Sequence, residues 1–317
     1  MSFHVLVEMN LPLLEAPTHD QLDQLACFYQ RQNNEKDAED WICPNPQCRT
    51  ANPPVRNVFV NVYHTHCINS TCRKQIIVSQ DFKLTDLILN DIDIDFPAYR
   101  QDDRCCTAFA LLTGIDLVRR MKAAVLYKAS DFQPLDPSSL PESFRNHFFV
   151  ALGFEPGDLY RKRMCNVMEM AQSDGVKFLR GDGVFDSQNP DIMPIKIQDK
   201  FYVRQDDTFL MKRLIASGFP LLATILSGNR WSNVGACEVY NPPLSGYTYG
   251  HQVIGHAILL HGSGTDDGGI YFAFRDTGGE NCHRRWFDDK GADGRLRAGQ
   301  FDGVLYGFTL EGWLFNQ

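Results

Sequence analysis

The segment Gln101-Asp102-Asp103-Arg104-Cys105-Cys106-Thr107-Ala108-Phe109-Ala110 sets the reading of this chain. Acidic residues precede a cysteine pair, and behind it Phe109, Leu112, Ile115, Val118 and Met121 recur at three- and four-residue steps. The spacing predicts a long helix over Cys105–Leu126. A thiol at a helix N-terminus sits in the positive end of the helix dipole, which favours the nucleophilic thiolate. The register of Ala108 and Phe109 gives Cys106 that place; a helix begun one residue earlier would give it to Cys105. A cysteine on a helix is commonly just a small hydrophobe, so the segment acquires chemistry only if it has partners.

Two later segments supply candidates. Gly255-His256-Ala257-Ile258-Leu259-Leu260-His261-Gly262 puts a histidine at the head of an apolar strand, 150 residues after Cys106. Tyr271-Phe272-Ala273-Phe274-Arg275-Asp276-Thr277-Gly278-Gly279 ends a second apolar strand in Asp276 and a glycine turn. On neighbouring strands, His256 would stand beside the thiol as base and Asp276 behind it as orienting group. His261, five residues on, should point to the opposite face from His256. Trp231, after Gly228-Asn229-Arg230, reads as a core aromatic.

Around these segments the chain reads as α+β, helices first and strands afterwards. Ala16–Gln32, Pro141–Leu152, Pro156–Ser173 and Asp207–Ser217 carry helical patterns, with Gly175 closing the third. The loop Pro134–Pro141 is rich in Pro, Asp and Ser. Val58–Val62, Gln75–Val78, Leu221–Leu226, Gly235–Tyr240, Val253–His261, Ile270–Arg275 and Val304–Leu310 read as strands. Lys83–Phe96 reads as an acidic connector, and the boundary falls at Pro97. The domains are then 1–96, with a cysteine-bounded region at about 41–80, and 97–317. No internal repeat is apparent.

The chain has 317 residues, 31 Lys plus Arg against 39 Asp plus Glu, a net charge of −8 and 10 cysteines. That length suits two domains, or one with an appendage. The acidic balance argues against nucleic acid, whose phosphates call for a basic surface. The apolar runs fall far short of the ~20 residues of a membrane-spanning helix. Met1–Asn10 carries Glu8 and no basic start, so no secretory signal is read there and a cytoplasmic location is expected. In that reducing setting the cysteines read as metal ligands, a nucleophile and buried thiols rather than disulfides.

Residues from about 97 to 317 resemble the papain-like cysteine protease family. Gln101 with Cys106-Thr107-Ala108-Phe109 is similar to its glutamine and nucleophile helix, and His256-Ala257-Ile258 to its histidine strand. Arg275-Asp276-Thr277-Gly278-Gly279 is similar to the strand end bearing its orienting residue. Leu214–Ile225 and Met168–Val176 match two further elements in order. The resemblance implies a two-lobed fold and peptide hydrolysis through an acyl-enzyme. Cys106 would be nucleophile, His256 base, Asp276 orienting group and Gln101 an oxyanion donor with the Cys106 backbone N–H. Asp276 stands where the family usually has Asn, and Gln101 is one residue closer to the cysteine. Thr107 and Gly278 stand where it has tryptophans, implying reduced aromatic cover. The family's substrate-holding Gly-Gly strip has no counterpart near Arg163–Asn166. Two other readings are a catalytically silent interaction module and a transglutaminase-like acyl transferase.

Near the N-terminus, Cys43-Pro-Asn-Pro-Gln-Cys48 and Cys67-Ile-Asn-Ser-Thr-Cys72 form two pairs at four-residue spacing, within the range of zinc-ribbon knuckles. Cys43, Cys48, Cys67 and Cys72 are therefore expected to hold a structural zinc. His64 and His66 are spare candidates, and a pair of disulfides is the alternative. The N-terminal domain could also recognise a protein partner, alongside the protein or peptide substrate of the catalytic domain.

Overall fold

The computed structural model describes residues 22, 41–53, 63–78, 82–101, 105–126, 135, 156–176, 194–228, 230–235, 238–242, 247–248, 251–252, 254–279, 282–283 and 292–311. The helical patterns Ala16–Gln32 (Leu22 apart) and Pro141–Leu152, the strand Val58–Val62 and most of the Pro134–Pro141 loop lie outside these residues. So do Cys27 and Cys237.

Helix α1 (Cys106–Leu126) buries every residue from Cys106 to Val118, because it runs through the core instead of lying on the surface. Helix α2 (Pro156–Ser173) opens on proline and stops at Gly175, whose φ of +76° favours glycine. Helix α3 (Thr208–Ala216) is capped by Asp207, whose carboxylate accepts from the Leu210 N–H at 3.0 Å.

The sheet has eight strands: β1 (Phe82–Lys83), β2 (Ile197–Arg204), β3 (Leu221–Ser227), β4 (Val239–Tyr240), β5 (Ile254–Asp266), β6 (Gly269–Asp276), β7 (Asp293–Arg297) and β8 (Val304–Leu310). Their order is β4-β7-β6-β5-β3-β8-β2, with β1 paired to β5. All pairings are antiparallel except β4 with β7. Helix α1 packs on β5, β3 and β8, and α2 packs on α1, β5 and β2. The core lies between them. Burial of apolar side chains such as Leu111, Ile115, Leu222, Leu259 and Phe308 drives this packing.

Three features depart from expectation. The segment Lys83–Phe96 is no mere connector: Phe82, Leu84, Leu87, Leu89, Ile94 and Phe96 belong to the same core as the sheet. Strands β2 and β7 were not foreseen, and of Gly235–Tyr240 only Val239–Tyr240 is a strand. A repeat does exist, in the cysteine region described below. No helix among the described residues is long and apolar enough to cross a membrane.

Candidate active site and candidate metal centre

Cys106 is the first residue of α1. His256 and the Ala257 backbone both act on its thiol in favour of the thiolate. His256 lies near the start of β5, two residues from Ile258, the cross-strand partner of Asp276. This pairing sets the His256 Nε2–H to donate to Asp276 Oδ1 at 2.7 Å. With Nε2 so engaged, Nδ1 is the nitrogen left to face the thiol. The Gly278 N–H donates to the same carboxylate oxygen at 2.9 Å. Cys105 is also buried, one residue ahead of the helix, and its carbonyl accepts from the Phe109 N–H.

The charges reinforce one another. Burial works against the Cys106 thiolate, but the hydrogen bond and charge of His256 outweigh it and bring the thiol below its ordinary value. Burial also works against a charged His256, yet Asp276 outweighs that and raises the imidazole to about 10. Burial would raise Asp276 too, and the two histidines beside it hold it well below the carboxylate range. These directions all favour a thiolate–imidazolium pair backed by a carboxylate, an arrangement chemically able to attack a carbonyl carbon.

Gln101 reaches the site through Asp276's neighbour. Its backbone N–H donates to the Thr277 carbonyl at 2.8 Å, and the Thr277 hydroxyl donates to its side-chain Oε1 at 2.5 Å. The side-chain carbonyl is thereby occupied, leaving the amide NH₂ as the end available to a substrate oxygen.

Two residues beside the site had no part in it by sequence reasoning: Trp231, read as a core aromatic and buried in the core, and His283, which was missed. The expected loss of aromatic cover does not occur, because Trp231 supplies it from another loop. Its ring stacks on Phe274 at 4.8 Å and stands edge-on to His256 at 5.4 Å. A Cβ at Gly278 would lie 2.5 Å from the Cys282 sulfur, so no tryptophan fits there. His283 is the second: its Nε2 lies 2.9 Å from Asp276 Oδ2. Neither residue belongs to a motif, so periodicity carried no signal for them. His261 falls at a β-bulge, fully buried, with Nδ1 3.2 Å from the Thr85 hydroxyl; burial pushes its imidazole down to about 4.

The four N-terminal cysteines converge. Their sulfurs all lie within 4.8 Å of one another, with Cys43–Cys72 at 3.8 Å and Cys48–Cys67 at 3.6 Å. Four thiolates at ~2.3 Å from a tetrahedral zinc would stand ~3.8 Å apart, so the donor set and its size fit that ion. All four are free thiols. His66 is exposed and outside the cluster.

The two knuckles are copies of one another, Cys-x-Asn-x-x-Cys-Arg. In each the second cysteine N–H donates to the asparagine carbonyl, Cys48 to Asn45 and Cys72 to Asn69. Each asparagine side chain donates across to the other knuckle, Asn45 to Cys72 and Asn69 to Cys48. Arg49 and Arg73 share a left-handed backbone, φ +44° and +41°.

No protein-family model matches the chain, and no curated protein does. Among solved structures, procathepsin B from Trypanosoma congolense superposes with a TM-score of 0.50 at 10% identity, over 73% of this chain and 77% of that one. The fold is papain-like. Xylellain, a cysteine protease from Xylella fastidiosa, matches with a TM-score of 0.47 at 18% identity, over 72% and 85%. A digestive procathepsin proteinase from Tenebrio molitor larval midgut gives 0.46 at 17%, over 72% and 67%. In this papain-like fold, Cys106 opens α1 and His256 lies on β5.

Proposed function

We propose that the chain is a thiol-dependent peptide hydrolase acting through Cys106, His256 and Asp276. The observation that carries the reading is His256 held between the Cys106 thiol and, at 2.7 Å, the Asp276 carboxylate. The Cys106 thiolate attacks the scissile carbonyl carbon, and the oxyanion takes hydrogen bonds from the Cys106 N–H and the Gln101 amide. The His256 imidazolium gives its proton to the leaving amine, releasing the first product and an acyl-enzyme. His256, now neutral, takes a proton from water, whose oxygen attacks the thioester, and the thiolate leaves.

The four-cysteine cluster would hold a structural zinc, stabilising a segment too short to build its own core. Within the N-terminal domain drawn at 1–96, the cysteine-bounded region at about 41–80 would serve as a partner-recognition element, and a reducing compartment such as the cytoplasm suits its free thiols. The test is mass spectrometry after treatment with an epoxide electrophile under reducing conditions, beside a peptide-cleavage assay. Modification at Cys106, with cleavage lost in Cys106→Ala, is the expected result. Modification at Cys105 instead, or at neither, overturns the reading. Amine incorporation without cleavage would select acyl transfer.

A further inference from the structure

Asp276 has a second imidazole behind it. His283 Nε2 lies 2.9 Å from Asp276 Oδ2, and His283 Nδ1 lies 3.0 Å from the Val234 carbonyl oxygen. Both partners are acceptors. A carbonyl has no proton to give, an ionised carboxylate has none either, and a neutral imidazole carries a single N–H. Satisfying both contacts requires a proton on each ring nitrogen or a proton on Asp276. Asp276 accepts at Oδ1 from His256 and Gly278 as well, which favours its ionised form.

The setting of His283 is costly. The ring is 1% exposed and stands edge-on to Trp231 at 4.9 Å and to Phe274 at 5.1 Å. Its backbone is left-handed, φ +54°, a conformation that non-glycine residues adopt rarely and often at functional sites. A buried polar side chain in a strained conformation, with each nitrogen matched to an acceptor, has more structure than packing alone demands.

We propose that His283 is held as a buried imidazolium and acts as a positioning residue for the Cys106–His256 pair. The proposal rests on the thiol-hydrolase reading of that pair. One carboxylate serves two cations: Oδ1 orients His256, and Oδ2 is neutralised by His283. The Asp276–His283 unit thus resembles the neutral amide usual at this position in papain-like enzymes. It keeps the orienting hydrogen bond while offsetting the extra negative charge that would bind the His256 proton too tightly. Among the described residues, the charged and titratable groups facing this unit are His256 on β5 and Cys282 with Arg100 at its edge.

Two measurements on the full chain test it. In Cys106→Ala protein labelled with ¹⁵N-histidine, NMR near neutral pH should show two ring N–H groups on His283, assigned by their nuclear Overhauser contacts to the Trp231 and Phe274 rings. One N–H overturns the proposal. In the active protein, His283→Gln removes a cation from behind Asp276 while His256 keeps its proton across the Cys106 titration, so the thiolate loses favourable charge. The midpoint of Cys106 alkylation by iodoacetamide should then move up by about one pH unit. An unmoved midpoint overturns the positioning role, and a variant that fails to fold leaves the NMR result to decide. Neither measurement needs peptide cleavage. An inactive protein with a doubly protonated His283 would sink the hydrolase reading and leave the protonation inference standing.

Discussion

At the scale of single residues, the Cys106–His256 pair fixes a pH dependence. Burial opposes the Cys106 thiolate, but His256 outweighs it and lowers the thiol; Asp276 outweighs the burial of His256 and raises it to about 10. The ion pair therefore occupies the window between the lowered thiol value and pH about 10. Peptide cleavage should rise as Cys106 ionises and fall as the pH passes about 10, where neutral His256 has no proton for the leaving amine. Iodoacetamide needs only the thiolate, so its reaction with Cys106 should show the rising limb and then a plateau. An alkylation midpoint at or above the ordinary thiol value of ~8.5 would refute the pairing. The same raised imidazole contributes stability that is complete below ~6.5 and lost as the pH climbs through about 10. The placement of Cys106, His256 and Asp276 was legible because each lies near a helix start or a strand end whose pattern marks it, whereas Gln101 was read only through the family resemblance. Trp231 and His283 were not, since loops bring them in and a left-handed histidine has no sequence signature.

The strand β6 does two tasks with adjacent residues. Because side chains alternate across a strand, Asp276 faces the site while Arg275 faces the other way. The Arg275 guanidinium donates to Asp293 at 2.8 and 3.2 Å, to Asp95 at 2.8 Å and to the Phe96 carbonyl at 2.9 Å. It ties β6 to its neighbour β7 and to the segment that precedes α1. Arg275→Met would leave Asp95 and Asp293 without that cation in a largely buried place. Breaking such a pair from one side costs about 3–5 kcal/mol. Urea denaturation should show that loss; a change below about 1 kcal/mol would mean that water already screens the cluster. The same arginine explains part of what the sequence concealed. Asp95 and Asp293-Gly-Arg-Leu-Arg297 look like solvated loops, yet β7 pairs with β6 and both acids answer Arg275. β2 was hidden in the same manner, its Lys200 being buried against Glu169 at 3.2 Å. The three helices were visible because period, proline start and Asp207 cap agree.

For the molecule as a whole, the α+β, papain-like architecture could be read from the order of motifs along the chain. How the parts share a core could not, since Phe82–Phe96 and Leu22 pack with residues far along the chain. That core includes none of the four clustered cysteines among the described residues, so the knuckles must draw their stability from elsewhere. What they have is internal: asparagine-to-sulfur bonds across the pair, short hairpins, and four thiols within 4.8 Å. The Thr50 hydroxyl lowers the Cys48 thiol to about 6, while burial raises Cys43 to about 12. Four close sulfurs that must all become anions repel one another unless a cation sits among them. Purified protein should therefore carry about one zinc per chain by elemental analysis. Chelation, or Cys43→Ser, should strip amide-exchange protection from residues 43–52 and 66–75. Protection of α1 should persist, because its packing partners are the sheet and α2. Knuckles that stay fully protected without metal would show that the hydrogen-bonded loops suffice and that zinc is not their source of stability.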